Sequence, residues 1–258
     1  MENYVPIDGI KLWTDIRGNA SKHIILCAGG PGCCDYLIPV SQMIEDGYTV
    51  IRFEQRGCGR SGKDGNYDMF TVIRDMEAIR AYYGISSWIV GGHSWGANLS
   101  LAYAMHYPDK TKAIIYIAGT GVQNDREWSA QYQANRDKCG EVLPKMLFEG
   151  NDEVNRKCIK SWREFIQTPL LYKNISELDI HSLIMCAQRD IRPNWPAMQI
   201  HALMPNVEYA LIDGAAHYIW LTHPDEMSKR LRSFLELPLL FSDGNLSKKH
   251  SPPKGFQR

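Results

Sequence analysis

The sequence predicts an α/β protein, with a mostly parallel central sheet flanked by helices and a small helical cap. Three observations carry this. Short apolar runs alternate with stretches of helical periodicity, the rhythm of βαβ units. Several of these runs are apolar throughout, as strands covered on both faces are. Glycine-rich turns follow the runs at 23–28, 48–53 and 88–91.

The elements follow in order. Residues 10–17 alternate apolar and polar, as a half-exposed strand does, and Gly18-Asn19 turns the chain. A buried strand over 23–28 ends in Gly29-Gly-Pro-Gly32. A helix is expected over 36–45, then a strand over 48–53 and a second glycine-rich turn over 54–61. Val72, Met76, Ile79 and Tyr83 share one helical face over 71–83, with Thr71 as the cap and Gly84 as the stop. The 88–91 strand leads into a helix that ends near Tyr107-Pro108, and 113–118 is another buried strand. From 123 to 180 only helical segments are expected. They carry Trp128, Tyr132, Met146, Phe148, Trp162, Phe165 and Tyr172. The alternation returns with a strand at 182–187, a helix at 195–204 opened by Pro196, a strand at 208–212 and a helix at 224–235. Residues 1–122 and 181–241 are thus expected to form the core, 123–180 a cap, and 242–258 a loose polar tail.

Composition narrows the class. With 258 residues and 44% hydrophobic content, the chain suits one large α/β domain. Lys plus Arg and Asp plus Glu both number 29, and this balance argues against a nucleic-acid partner. No signal peptide and no apolar run of membrane-spanning length is read from the sequence. Seven cysteines without metal-like spacing point to reduced thiols in a cytoplasm. The expected partner is a small molecule, and the expected state a monomer or small homo-oligomer.

The stretch Gly92-His93-Ser94-Trp95-Gly96 lies between strand and helix. A G-x-S-x-G turn in that context presents a serine at the top of a sheet, and the glycines let strand and helix pass closely. Ser94 is therefore the candidate nucleophile. A serine hydroxyl needs a base within hydrogen-bond reach, and the base needs an orienting carboxylate. Asp190 follows the next-to-last strand and His217 the last, so both fall at strand C-terminal ends, where open α/β sheets place their sites. Asp213 lies too near His217 in sequence to approach the far side of its ring. The ring of His93 is expected to point away beneath the sheet. For a developing oxyanion, the backbone N–H groups of Trp95 and of Gly30 are the candidate donors.

These motifs give the chain a resemblance. Gly29-Gly-Pro-Gly32, Glu54-Gln-Arg-Gly-Cys-Gly-Arg-Ser61, Gly91-Gly-His-Ser-Trp-Gly96 and Gly214-Ala-Ala-His217 with His223-Pro224 resemble the α/β-hydrolase superfamily, and within it the proline iminopeptidase-like branch. The resemblance implies an α/β-hydrolase fold and metal-free, cofactor-free hydrolysis through an acyl-enzyme. It also implies Ser94, Asp190 and His217 as the triad, with Gly30 and Trp95 as oxyanion donors. The chain departs from the branch's pattern at Ala28, where His is usual, at Glu54, where Asp is usual, and at His93. The branch's aminopeptidases follow the catalytic Asp with an acidic residue that helps hold the substrate ammonium. In this chain Ile191 and Arg192 follow Asp190. The expected activity is therefore carboxylesterase-like hydrolysis of a small ester, thioester, lactone or amide, ahead of proline iminopeptidase activity. A non-catalytic small-molecule receptor is the alternative of another class. Trp128, Trp162 and Arg192 are candidate substrate contacts.

Overall fold

A computed structural model describes residues 1–138 and 140–236. The expected tail at 242–258, and 237–241 of the expected core, lie outside the described residues. Eight strands form one sheet: β1 (Glu2–Ile7), β2 (Ile10–Arg17), β3 (His23–Cys27), β4 (Thr49–Phe53), β5 (Trp88–His93), β6 (Thr111–Ile117), β7 (Ser182–Ala187) and β8 (Val207–Ile212). Their spatial order is β1-β2-β4-β3-β5-β6-β7-β8. β1 and β2 run antiparallel to their neighbours, and β3 through β8 are parallel.

Apolar runs without alternation become strands buried on both faces. Ile25, Val90, Ile114 and Tyr116 point into one apolar cluster, while Ile24, Leu26, Ile89, Ile115 and Ile117 point into the other. The first face is covered by α2 (Met69–Tyr82) and α3 (Trp95–His106), through Val72, Met76, Leu99 and Ala102. The second is covered by α1 (Ile38–Gln42) and α9 (Pro224–Glu236), through Val40, Met227, Leu231 and Phe234.

Several expectations need correction. β1 was not expected as a strand; it pairs with β2 along its whole length. The cap of α2 is Asp68 rather than Thr71. Its carboxylate accepts the Thr71 N–H at 3.0 Å and the Thr71 hydroxyl at 2.7 Å. The helix expected over 36–45 is shorter, because Pro39 sits in its first turn and only Ile38–Gln42 is helical.

Residues 123–180 carry α4 (Arg126–Lys138), α5 (Asp152–Phe165) and α6 (Leu171–Ser176), with no strand among the described residues. α5 packs on α2 through Val154, Cys158, Trp162 and Phe165, spaced three and four residues apart on one face. α4 has no buried residue. α7 (Trp195–Leu203) and the short α8 (Ile219–Thr222) complete the chain. No helix among the described residues is long and apolar enough to cross a membrane.

Candidate active site

Parallel register brings the three expected groups to one edge. His93 at the end of β5 pairs with Ile117, Ile117 with Met185, and Ala187 at the end of β7 with Ile212. Ser94, Asp190 and His217 each follow one of these strand ends.

Ser94 has φ 58° and ψ −120° and stands where β5 turns into α3. Few non-glycine residues hold that conformation without support from their surroundings. The Ser94 N–H donates to the Ile117 carbonyl at 2.8 Å, and Ala97 N–H donates to the Ser94 carbonyl at 3.1 Å. The flanking glycines are obligatory. A Cβ at Gly92 would sit 2.2 Å from the Gly96 carbonyl oxygen, and one at Gly96 would sit 2.0 Å from that of Cys27.

Asp190 and His217 are both buried, and Asp190 Oδ2 lies 2.5 Å from His217 Nδ1. The other carboxylate oxygen of Asp190 accepts the Arg192 N–H at 2.8 Å and the Arg192 guanidinium at 3.2 Å. Burial alone would raise the Asp190 pKa. The His217 imidazole and the Arg192 guanidinium outweigh it and hold the carboxyl below its usual range. Burial pulls the His217 imidazole down. Asp190 opposes that pull, Arg192 adds to it, and the net shift is downward. Asp213, the rival acid, is exposed. Among the described residues the Ser94 hydroxyl makes no hydrogen bond to His217.

The glycine loop lies directly against the serine. A Cβ at Gly29 would meet the Ser94 Cβ at 2.6 Å and the His93 carbonyl at 2.5 Å. Gly30 has φ +57°, and its carbonyl accepts the Cys33 N–H at 2.7 Å. Trp95 is the first residue of α3, where backbone N–H groups have no partner within the helix.

The expected substrate contacts divide. Trp162 is 4% exposed and packs on Phe165 in the core. It is corrected from a substrate contact to a core residue, because its helix turns that face onto α2. Arg192 is not a free cation either. It pairs with Glu141 as well as Asp190, so its guanidinium already has partners within the protein. Trp128 lies half-buried on α4, stacked on Tyr132 at 5.3 Å, and its buried indole N–H has no hydrogen-bond partner.

Two residues were missed. Glu141 belongs to a charged, irregular stretch with no motif around it, and only the folded chain brings it to Arg192. Glu141, Asp190 and His217 each offer a ligand atom within 4.8 Å of the others. The Arg192 guanidinium already pairs with both carboxylates of this cluster. The second is His93. Its ring does not point away from the site but lies 4.4 Å from the His217 ring, fully buried. Adjacency to Ser94 was the available signal, and the aromatic residues around His217 decided the direction.

The comparisons agree with this fold. A family model described as alpha/beta hydrolase fold matches residues 22–146. A proline iminopeptidase of Xylella fastidiosa (strain 9a5c) is 33% identical over 131 residues, covering 48% of this chain and 40% of that protein. One from Clostridioides difficile (strain 630) is 30% identical over 156 residues, covering 57% and 53%. The chain spans about half the length of the curated relatives it matches. Among solved structures, the proline iminopeptidase of Mycobacterium smegmatis superposes with a TM-score of 0.72 at 17% identity, covering 91% of this chain and 97% of that one. The enol-lactonase of Burkholderia xenovorans LB400 gives 0.72 at 16% identity, covering 90% and 99%. At such identities these structures speak for the fold alone.

Proposed function

Because the chain belongs to the α/β-hydrolase superfamily, in its proline iminopeptidase-like branch, we propose that it is a serine hydrolase cleaving a small ester, thioester, lactone or amide through an acyl-enzyme. The observation that carries this reading is the buried Asp190–His217 hydrogen bond on the sheet edge that also holds the strained Ser94. In the proposed reaction the Ser94 oxygen attacks the substrate carbonyl while His217 Nε2 takes its proton. Asp190 keeps the other ring nitrogen protonated and the ring aimed. The carbonyl oxygen, now negative, receives hydrogen bonds from the N–H groups of Trp95 and Gly30. His217 returns the proton to the leaving group, and water then releases the acyl group by the same steps. The Ser94–His217 bond is one to be made when substrate arrives, since such contacts commonly tighten in the Michaelis complex.

Ester-type substrates rank ahead of an N-terminal proline. Holding a free ammonium requires a carboxylate without another partner. Ile191 is apolar and buried, and Glu141 is occupied by Arg192. The names of the relatives favour the second reading, proline iminopeptidase activity. Residues 123–180 would cap the site, with Trp128 on α4 remaining the candidate substrate contact. The six described cysteines are free, which fits a reducing compartment such as the cytoplasm.

A fluorophosphonate probe tests the reading. Wild type is expected to label and Ser94→Ala not to; equal labelling of both would favour a receptor. Relative turnover of p-nitrophenyl acetate and proline p-nitroanilide then ranks the substrates, and faster cleavage of the anilide would put the N-terminal proline first.

A further inference from the structure

We propose that Tyr36 and His93 are positioning residues, forming a buried bridge that fixes the oxyanion loop against the segment carrying His217. This rests on the serine-hydrolase reading above. The Gly29 N–H donates to the Tyr36 hydroxyl at 2.7 Å. That hydroxyl lies 2.8 Å from His93 Nδ1, and His93 Nε2 lies 3.1 Å from the His217 carbonyl oxygen.

Each proton in this chain has one place to go. A backbone N–H can only donate and a carbonyl can only accept. His93 Nε2 therefore carries a hydrogen and gives it to His217. The neutral ring leaves Nδ1 bare, and it accepts the Tyr36 hydroxyl proton. Tyr36 in turn accepts from Gly29, so every polar atom along the path is satisfied. Burial holds both groups in the required state. It pushes the Tyr36 hydroxyl well above its usual pKa and, with His217 beside it, holds the His93 imidazole well below its own. Protonation of His93 would add a second donor facing the tyrosine and strand the hydroxyl hydrogen.

Aromatic rings wall the bridge off from water. Trp220 stacks on Tyr36 at 6.0 Å and lies nearly perpendicular to the His93 ring at 4.7 Å, and Tyr218 lies 5.0 Å from His93. A desolvated hydrogen-bond chain is stiff, because each lost bond leaves a buried polar group unpaired. The two ends are functionally distinct. Gly29 precedes Gly30, the proposed oxyanion donor, and the His217 carbonyl belongs to the residue whose ring is the proposed base. Neither Tyr36 nor His93 is assigned any contact with reacting atoms. Their effect is on the separation and orientation of the groups that are.

The test combines kinetics with backbone exchange. Tyr36→Phe keeps the ring and removes the hydroxyl. His93→Phe keeps the packing and removes both bonds. His93→Gln can accept from Tyr36 through its carbonyl and donate to His217 through its amide. Tyr36→Phe and His93→Phe are expected to lower kcat for p-nitrophenyl acetate about 10- to 100-fold, less than the loss of a whole oxyanion donor, with KM little changed. His93→Gln is expected to recover most of it. In the same proteins, hydrogen exchange at the Gly29 amide should accelerate in Tyr36→Phe and His93→Phe and return towards wild type in His93→Gln. Unchanged kcat in Tyr36→Phe, or Gly29 exchange indifferent to all three substitutions, would overturn the bridge. A wild type that neither labels nor turns over ester would defeat the hydrolase reading instead, and the Gly29 exchange pattern would still decide whether the bridge exists.

Discussion

Ser94 adopts a φ of 58°, a conformation that costs a non-glycine residue about 1–3 kcal/mol and persists only where the surroundings enforce it. The enforcing groups are local, namely two glycines and a carbonyl on the neighbouring strand. This is why Ser94 could be read from five consecutive residues. Asp190 and His217 were legible for a related reason, since each follows directly on a recognisable strand. Arg192 was visible, but its partner Glu141 was not, because no local pattern announces an ion pair between residues so far apart in the chain. That pair alters the chemistry. The Arg192 guanidinium helps to lower the His217 pKa. The acid limb of kcat/KM, which follows loss of the neutral base, should therefore fall below the ordinary imidazole value of about 6.5. Replacing Arg192 with Gln removes the nearby positive charge, so protonation of His217 becomes easier and the limb should move to higher pH. A pH–rate profile of the two proteins checks this, and a limb that stays in place would show that the imidazole does not sense the guanidinium.

Elements followed the sequence where burial was two-sided. β3 through β7 announce themselves as apolar runs, and their helices by three-and-four spacing. β1 did not, since only Val5 of its six residues is buried and Pro6 interrupts it; pairing with β2 makes it a strand. Asp68 was missed for a smaller reason. It lies three residues before Thr71, and Met69-Phe70 were not counted in the helix. With two bonds from its carboxylate to Thr71, Asp68 is the side chain that closes the first turn of α2. Asp68→Ala should cost about 1 kcal/mol, the usual magnitude for a lost N-cap, seen as a lower urea midpoint with unchanged slope. Thr71→Val keeps the Asp68 bond to the backbone N–H and loses only the hydroxyl contact, so it should cost less. The reverse ranking would return the cap to Thr71.

At the scale of the molecule, one sheet divides two apolar layers, and the groups of the site lie where the sheet's C-terminal edge meets the 123–180 segment. That segment is tied to the glycine loop. The Asn151 N–H donates to the Gly32 carbonyl at 2.9 Å, the Asn151 side chain donates to the Gly57 carbonyl at 3.0 Å, and Asn155 donates to the Pro31 carbonyl at 2.8 Å. None of these contacts could be read from sequence, because they join asparagines with no motif to carbonyls that every residue has. Two imidazoles, His93 and His217, are buried in this molecule, and burial pushes the pKa of each down. Both have folded-state pKa values below the unfolded value of about 6.5. As pH falls through that value the unfolded chain takes up protons that the folded one refuses, so stability rises with pH and is lost on acidification. These two imidazoles should therefore pull the urea midpoint down as pH is lowered from about 7 towards about 5, while the buried Asp35 and Asp75 carboxyls, pushed up to about 6, pull it the other way. His93→Gln removes one of the two imidazoles, so on acidification its midpoint should shift towards greater stability relative to that of the wild type. The same pH dependence in that variant would mean that His93 is not held neutral, and its Nδ1 would then donate to the Tyr36 hydroxyl rather than accept from it.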